Sequence, residues 1–177
     1  MSSVAVWWPR HKEVDMSTTG LKQFDHALHV ANGWLNEIMK TVPVDRHGAW
    51  HILGAVLHTL RERLTLEQTA HLGDQLPLII RGLFFDQWNP TSKSPKMRTR
   101  TDFLTRVRRR MKMKEINVAD ATETVLGVLM RHPKGEVQKI LRTLPPAIRE
   151  LAPPQALYAK AGKGASSGGE ESPFAWE

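Results

Sequence analysis

Three histidines and one carboxylate fall on a single helical line: His47, His51, His58 and Glu62 are separated by four, seven and four residues. At 100° per residue those spacings hold the four groups within roughly 60° of arc. Imidazole and carboxylate groups in such a stripe are the material of zinc and iron sites. The same wheel weighs against a buried site, because Ala49, Ile52, Leu53, Val56, Leu57 and Leu60 centre almost opposite. The stripe therefore reads as a solvent-facing side of its helix. His47, His51, His58 and Glu62 stay as metal-ligand candidates only if a second helix covers them. His26, His29 and His71 are further imidazoles whose placement the spacing leaves open. The Glu-x-x-His pairing of di-iron bundles is missing. No cofactor is expected.

The second chemical signal is cationic. From Lys93 to Lys114, ten basic residues stand against Asp102 alone, so this window carries +9 of formal charge and the rest of the chain −2, within a net of +7. On a helical wheel Phe103, Leu104, Val107 and Met111 occupy about 100° of arc. Arg106, Arg108, Arg109, Arg110 and Lys112 spread around the remainder as an outward fan, and Lys93, Lys96, Arg98 and Arg100 extend the charge to its N-terminal side. Guanidinium forks suit phosphate oxygens, so RNA or DNA is one partner class. An acidic protein, steered by charge, is another. Anionic lipid fits less well, since the apolar stripe is narrow and has Phe103 as its one aromatic. The plain alternative is a solvated face that maintains solubility. The partner- or phosphate-binding set is Arg98, Arg100, Arg106, Arg108, Arg109, Arg110 and Lys112, acting as charges and hydrogen-bond donors without bond chemistry.

Other catalytic patterns find no support. The chain has no cysteine, which excludes disulfides, thiolate metal sites and a thiol nucleophile, and fits a reducing cytoplasm. There is no Gly-x-Ser-x-Gly elbow. The tract Gly162-Lys163-Gly164-Ala165-Ser166-Ser167-Gly168 lacks the strand, the helix and the Gly-Lys-Ser/Thr order of a phosphate loop. Phe84, Phe85 and Trp88 could stack on a base or a partner helix. With Phe84 and Trp88 four apart on one face, they read better as a seal on the seam between the two halves of the chain.

The elements that must position these groups are helical. Leu21, Phe24, Leu28, Ala31, Leu35 and Ile38 follow the 3.6-residue period and predict a first helix ending near Pro43. Asp45 caps a second from about Arg46 to Arg63. Thr65-Leu66-Glu67-Gln68 has the form of a capping box opening a third, and Pro77 restarts a fourth. Asn89-Pro90-Thr91-Ser92-Lys93-Ser94-Pro95 breaks the chain. A basic helix follows over about Thr101 to Met113, then one capped by Asn117, then Glu136 to Leu144 and Pro145 to Leu151. No segment alternates with period two long enough to demand a sheet. At 177 residues, 41% hydrophobic and 24% charged, the chain lies in the ordinary globular range. No apolar run approaches the roughly 20 residues of a membrane-spanning helix.

The two halves echo each other. Val56-Leu57, Leu60, Glu67 and Leu72 recur in the same order and spacing as Val125-Leu126, Leu129, Glu136 and Leu141. Leu76-Pro77, Ile80, Arg81 and Leu83 recur in the same way as Leu144-Pro145, Ile148, Arg149 and Leu151, and Phe24 matches Phe103. The expected fold is all-α: a tandem repeat of a four-helix unit packed as one helical body with disordered tails. Its parts are an N-terminal extension (1–20), repeat 1 (21–88), a basic linker (89–100), repeat 2 (101–152) and a flexible C-terminal tail (153–177). The tail is expected from its Gly/Ser composition, and Met16-Ser17 offers an alternative start.

Phe24-Asp25-His26-Ala27, Asp45-Arg46-His47, the run from Ala55 to Leu64 and the run from His71 to Leu83 together carry a resemblance. The chain resembles the bacterial domain-of-unknown-function family numbered twenty-two sixty-seven over about residues 21–152. The resemblance implies a duplicated all-helical fold and no reaction. The run Arg106-Val107-Arg108-Arg109-Arg110-Met111-Lys112 is more basic than that family's usual pattern. The expectation is a non-catalytic cytoplasmic interaction protein whose basic helix binds an acidic partner. A nucleic-acid-associated protein using the same patch, and a metal-dependent enzyme on the histidine stripe, are the alternatives.

Overall fold

A computed structural model describes residues 19–91, 97–132 and 136–153, and among them all regular structure is helical. The helices are α1 (Lys22–Thr41), α2 (Arg46–Arg61), α3 (Leu66–Gln75), α4 (Leu78–Phe85), α5 (Arg100–Met111), α6 (Val118–Arg131), α7 (Glu136–Arg142) and α8 (Pro146–Arg149). The expected tails, apart from residues 19, 20 and 153, and Lys93 and Lys96 of the linker lie outside the described residues.

Local chemistry sets the starts of α2, α3, α5 and α6. The Asp45 carboxylate accepts from the Gly48 N–H at 2.7 Å and opens α2. Thr65 and Gln68 satisfy each other's backbone N–H groups in a reciprocal box at the head of α3. Asn117 accepts from Ala119 N at 3.0 Å and opens α6. These side chains replace the intrahelical acceptors that the first turn lacks. A second box, Thr99 with Asp102, starts α5 and sets its first residue at Arg100. The helix ends at Met111, because Lys112 turns into the left-handed region at φ 55°.

Helix α2 is the axis of the body. It packs on α1, α4, α5 and α6 and buries residues on nearly every side. Gly54 lets α4 approach, since a Cβ there would stand 3.2 Å from Leu83 Cδ1. A continuous core runs through Trp34, Ile38, Ile52, Leu53, Leu57, Leu60, Leu72, Ile80, Phe84, Phe103, Val107, Val125 and Leu129, all fully buried. Burying each large apolar side chain contributes about 1.5–3 kcal/mol, so a core of this extent accounts for the cohesion of the helices.

Two packing expectations are corrected. Phe24, Leu28 and Leu21 follow the helical period but are 52%, 44% and 52% exposed, and burial along α1 starts only at Ala27. Phe24 therefore differs from its sequence counterpart Phe103, which is fully buried. Phe84 is buried, but its helix α4 makes its main contacts with α1, α2 and α3 rather than with the helices of the second half. Trp88 does not continue the α4 face either. The helix stops at Phe85, Gln87 has φ 51°, and the Trp88 ring lies 5.3 Å from Phe85.

Candidate functional site

The histidine stripe divides along α2. His47 and His51 are exposed and meet each other, with Nε2 atoms 3.3 Å apart. His58, almost two turns on, is half-buried and donates from Nε2 to the carbonyl of Leu83 at 2.6 Å. Burial pushes its pKa below the ordinary value, and the nearby Arg61 and Arg110 charges push the same way, against the opposing Leu83 hydrogen bond. A second helix, α5, reaches only the Glu62 end of the stripe, and it brings guanidinium groups there. Arg106 donates Nε and Nη2 to the two Glu62 oxygens at 2.9 and 2.8 Å, and Arg110 Nη2 also donates to Glu62. His47, His51, His58 and Glu62 thus do not converge. Among the described residues no group of three or more His, Asp or Glu is placed to hold a metal ion.

The basic fan is corrected in the same stroke. Arg106 and Arg110, four residues apart, flank the buried Phe103–Val107–Met111 stripe and turn inward to α2. Arg108 and Arg109 stay exposed on the outer arc, with Lys112 just past the helix end and Arg98 and Arg100 at its start. Asp102, the one acid of this segment, is engaged elsewhere. The N–H of Thr99, its hydroxyl and the N–H of Arg98 hold the Asp102 carboxylate below its usual pKa. Among the described residues, no carboxylate forms a salt bridge with Arg98, Arg100, Arg108, Arg109 or Lys112.

The inward arginines form one wall of a groove of about 560 Å³ between the end of α2, the head of α3, residues 87–90 and α5. Arg61 forms its floor. The residue is only 6% exposed, donates from Nη1 to the carbonyls of Phe84 and Asp86, and lies 5.9 Å over the Phe84 ring. Burial lowers its pKa, as does the neighbouring Arg110 charge, yet a guanidinium remains a cation at any physiological pH. Burial opposes ionisation of Glu62 as well, but hydrogen bonds and charge from Arg106 and Arg110 outweigh it and keep the carboxyl below its ordinary value. Leu64, Leu66 and Trp88 supply an apolar side to the groove.

Sequence reasoning missed Arg61, whose one hint is a cation placed directly after the buried Leu60. It also missed Glu37 on α1, which takes hydrogen bonds from Arg131 (2.7 Å from Nη2) and from His132 at the end of α6. That cluster ties the first helix to the second half of the chain.

An all-α body with an arginine-lined groove and a second, outward arginine face is the class of protein defined by these observations. Residues 31–151 match the family described as uncharacterized conserved protein DUF2267, and the chain belongs to that family. A comparison with curated proteins finds no match. No helix among the described residues is long and apolar enough to cross a membrane.

Proposed function

We propose that this is a non-catalytic interaction protein that docks an acidic protein partner on the outer face of α5. The observation that carries the reading is that Arg108, Arg109 and Lys112 are exposed without a carboxylate partner among the described residues, while α5 is anchored by its inner face. Arg98 and Arg100 enlarge the same cationic surface. Exposed, uncompensated charge favours association by steering and sets orientation more than it adds affinity. A cytoplasmic setting suits the cysteine-free chain, because reducing compartments make no use of disulfides.

The repeat is part of the same reading. Residues 21–88 and 101–152 are taken as two copies of one unit, supported by reciprocal packing: α1 lies on α6 as α5 lies on α2, while α2 meets α6 and α3 meets α7. A duplicated body with charge on one copy alone favours a single docking face.

The test titrates the protein with poly-glutamate and with duplex DNA over a salt series beginning at about 50 mM. Poly-glutamate should bind and weaken as salt rises. Replacing Arg108, Arg109 and Lys112 together by Ala should reduce that binding about tenfold or more at unchanged helicity. DNA binding that is tighter and more salt-dependent than poly-glutamate binding would move the assignment to nucleic acid. Stoichiometric metal in protein purified without a His tag, lost when His47, His51 or His58 becomes Ala, would instead support the metal-dependent alternative.

A further inference from the structure

The groove behind α5 differs from the outer face in being concave, partly apolar and over-supplied with cations. Within the lining, Arg61, Arg106 and Arg110 face one carboxylate, Glu62, a surplus of two positive charges that the exposed Asp86, just outside the lining, offsets only in part at Arg61. His58 does not change this balance at neutral pH, since its imidazole is held toward the neutral form. Nor are the cations fully used. Arg61 bonds through Nη1 and Arg110 through Nη2, so Nη2 of Arg61 and Nη1 of Arg110 carry no hydrogen bond among the described residues. Guanidinium donors left unbonded at a groove wall suit an anionic acceptor.

We infer that the groove binds a small organic phosphate monoester, its phosphate held by Arg61 and Arg110 and its organic part against Trp88 and Leu66. A phosphate monoester carries close to two negative charges at neutral pH and three acceptor oxygens, which matches the uncompensated charge. Arginine forks are the side chains best shaped to receive it. The volume of about 560 Å³ far exceeds a bare phosphate ion and lies within the range of small-molecule sites. Glu62 acts as the resident anion. Its carboxylate occupies Arg106 at two points and shares Arg110, so an entering phosphate competes for Arg110 while the Arg106 pair keeps α5 in place.

This site is independent of the outer face, and the variants separate them. Ribose 5-phosphate and AMP are titrated into the full chain by calorimetry, with ribose, adenosine, inorganic phosphate and a phosphoserine peptide as comparisons. The phosphate esters should bind about tenfold or more tightly than ribose, adenosine or inorganic phosphate. Arg110→Ala should weaken them about tenfold or more, and Arg61→Lys, which retains the charge but not the fork, should weaken them at unchanged helicity. Glu62→Gln should tighten them several-fold, because it removes the competing anion. Arg108→Ala with Arg109→Ala should leave them unchanged. Absence of ester binding up to about 10 mM, weaker binding in Glu62→Gln, or equal loss in the Arg108/Arg109 variant would overturn the inference. So would binding of inorganic phosphate or the phosphoserine peptide as tight as that of the esters.

Discussion

Glu62 on α2 receives both Nε and Nη2 of Arg106 on α5, at 2.9 and 2.8 Å, joining residues 44 positions apart. The carboxylate is 17% exposed and also takes a bond from Arg110, so the pair is a two-point clamp shielded from solvent on most sides. The clamp joins α2 to the edge of α5 that flanks its buried Phe103–Val107–Met111 stripe. On that edge Arg106 and Arg110 line a groove, while Arg108 and Arg109 meet solvent.

Removing the anion from this clamp should cost stability. Glu62→Gln keeps the shape but leaves two half-buried guanidinium groups side by side, and unfolding in urea should register a loss of about 1–3 kcal/mol. Arg106→Ala should lose less, because Arg110 still pairs with Glu62. In a double-mutant cycle the two changes should be clearly non-additive. Additive losses would mean that the pair contributes no coupling and does not orient α5.

Acid should act on the protein in two windows. Burial, with the Arg61 and Arg110 charges, depresses His58 below its ordinary 6.5, whereas the unfolded chain takes up that proton near the ordinary value. Stability from this group is therefore complete above the ordinary value and declines as pH falls from there to the lower folded one. Glu62 is held below its ordinary 4.5, with the arginine bonds prevailing over burial. Its contribution is complete above that value and is lost as pH falls through the folded one. Urea unfolding from about pH 8 to about pH 3 should show the upper loss abolished in His58→Gln and the lower one, to which Glu37 and Asp102 also contribute, reduced in Glu62→Gln. An unchanged profile in either variant would refute that assignment.

Two glycines in helices should respond in opposite directions. At Gly33 on α1 an added Cβ meets nothing within 4 Å. Gly33→Ala should therefore stabilise by about 0.5–1 kcal/mol through helix propensity. At Gly73 on α3 the Cβ would overlap the Phe85 ring, which packs on Phe84 and Trp88. Gly73→Ala should destabilise by about 1–3 kcal/mol, and Trp88, a wall of the groove, should shift with Phe85. Thermal melts give the two signs, and indole NMR signals report the Trp88 movement. A neutral Gly73→Ala would show that Phe85 swings aside at no cost.

How much of this was legible beforehand depended on distance along the chain. Asp45, Thr65 with Gln68, and Asn117 announced helix starts, because a cap is made with N–H groups two or three residues away. The apolar period likewise exposed Phe103, Val107 and Met111 as the buried edge of α5. Partners across the fold were not legible. Glu62 reads on its own helix as the last member of a histidine stripe, and nothing local says that an arginine pair 44 and 48 residues later will claim it.

By itself, then, the sequence determined an all-helical chain, its main helix boundaries and the concentration of positive charge in one segment, all set by short-range periodicity, capping and composition. The tertiary structure decided which cations are free. A helical wheel knows only its own axis, whereas the packing of α5 on α2 divides one arginine cluster into an inner pair bound to Glu62 and an outer pair left to solvent. The same packing encloses a groove whose floor, Arg61, comes from one half of the chain and whose wall, Arg106 and Arg110, comes from the other.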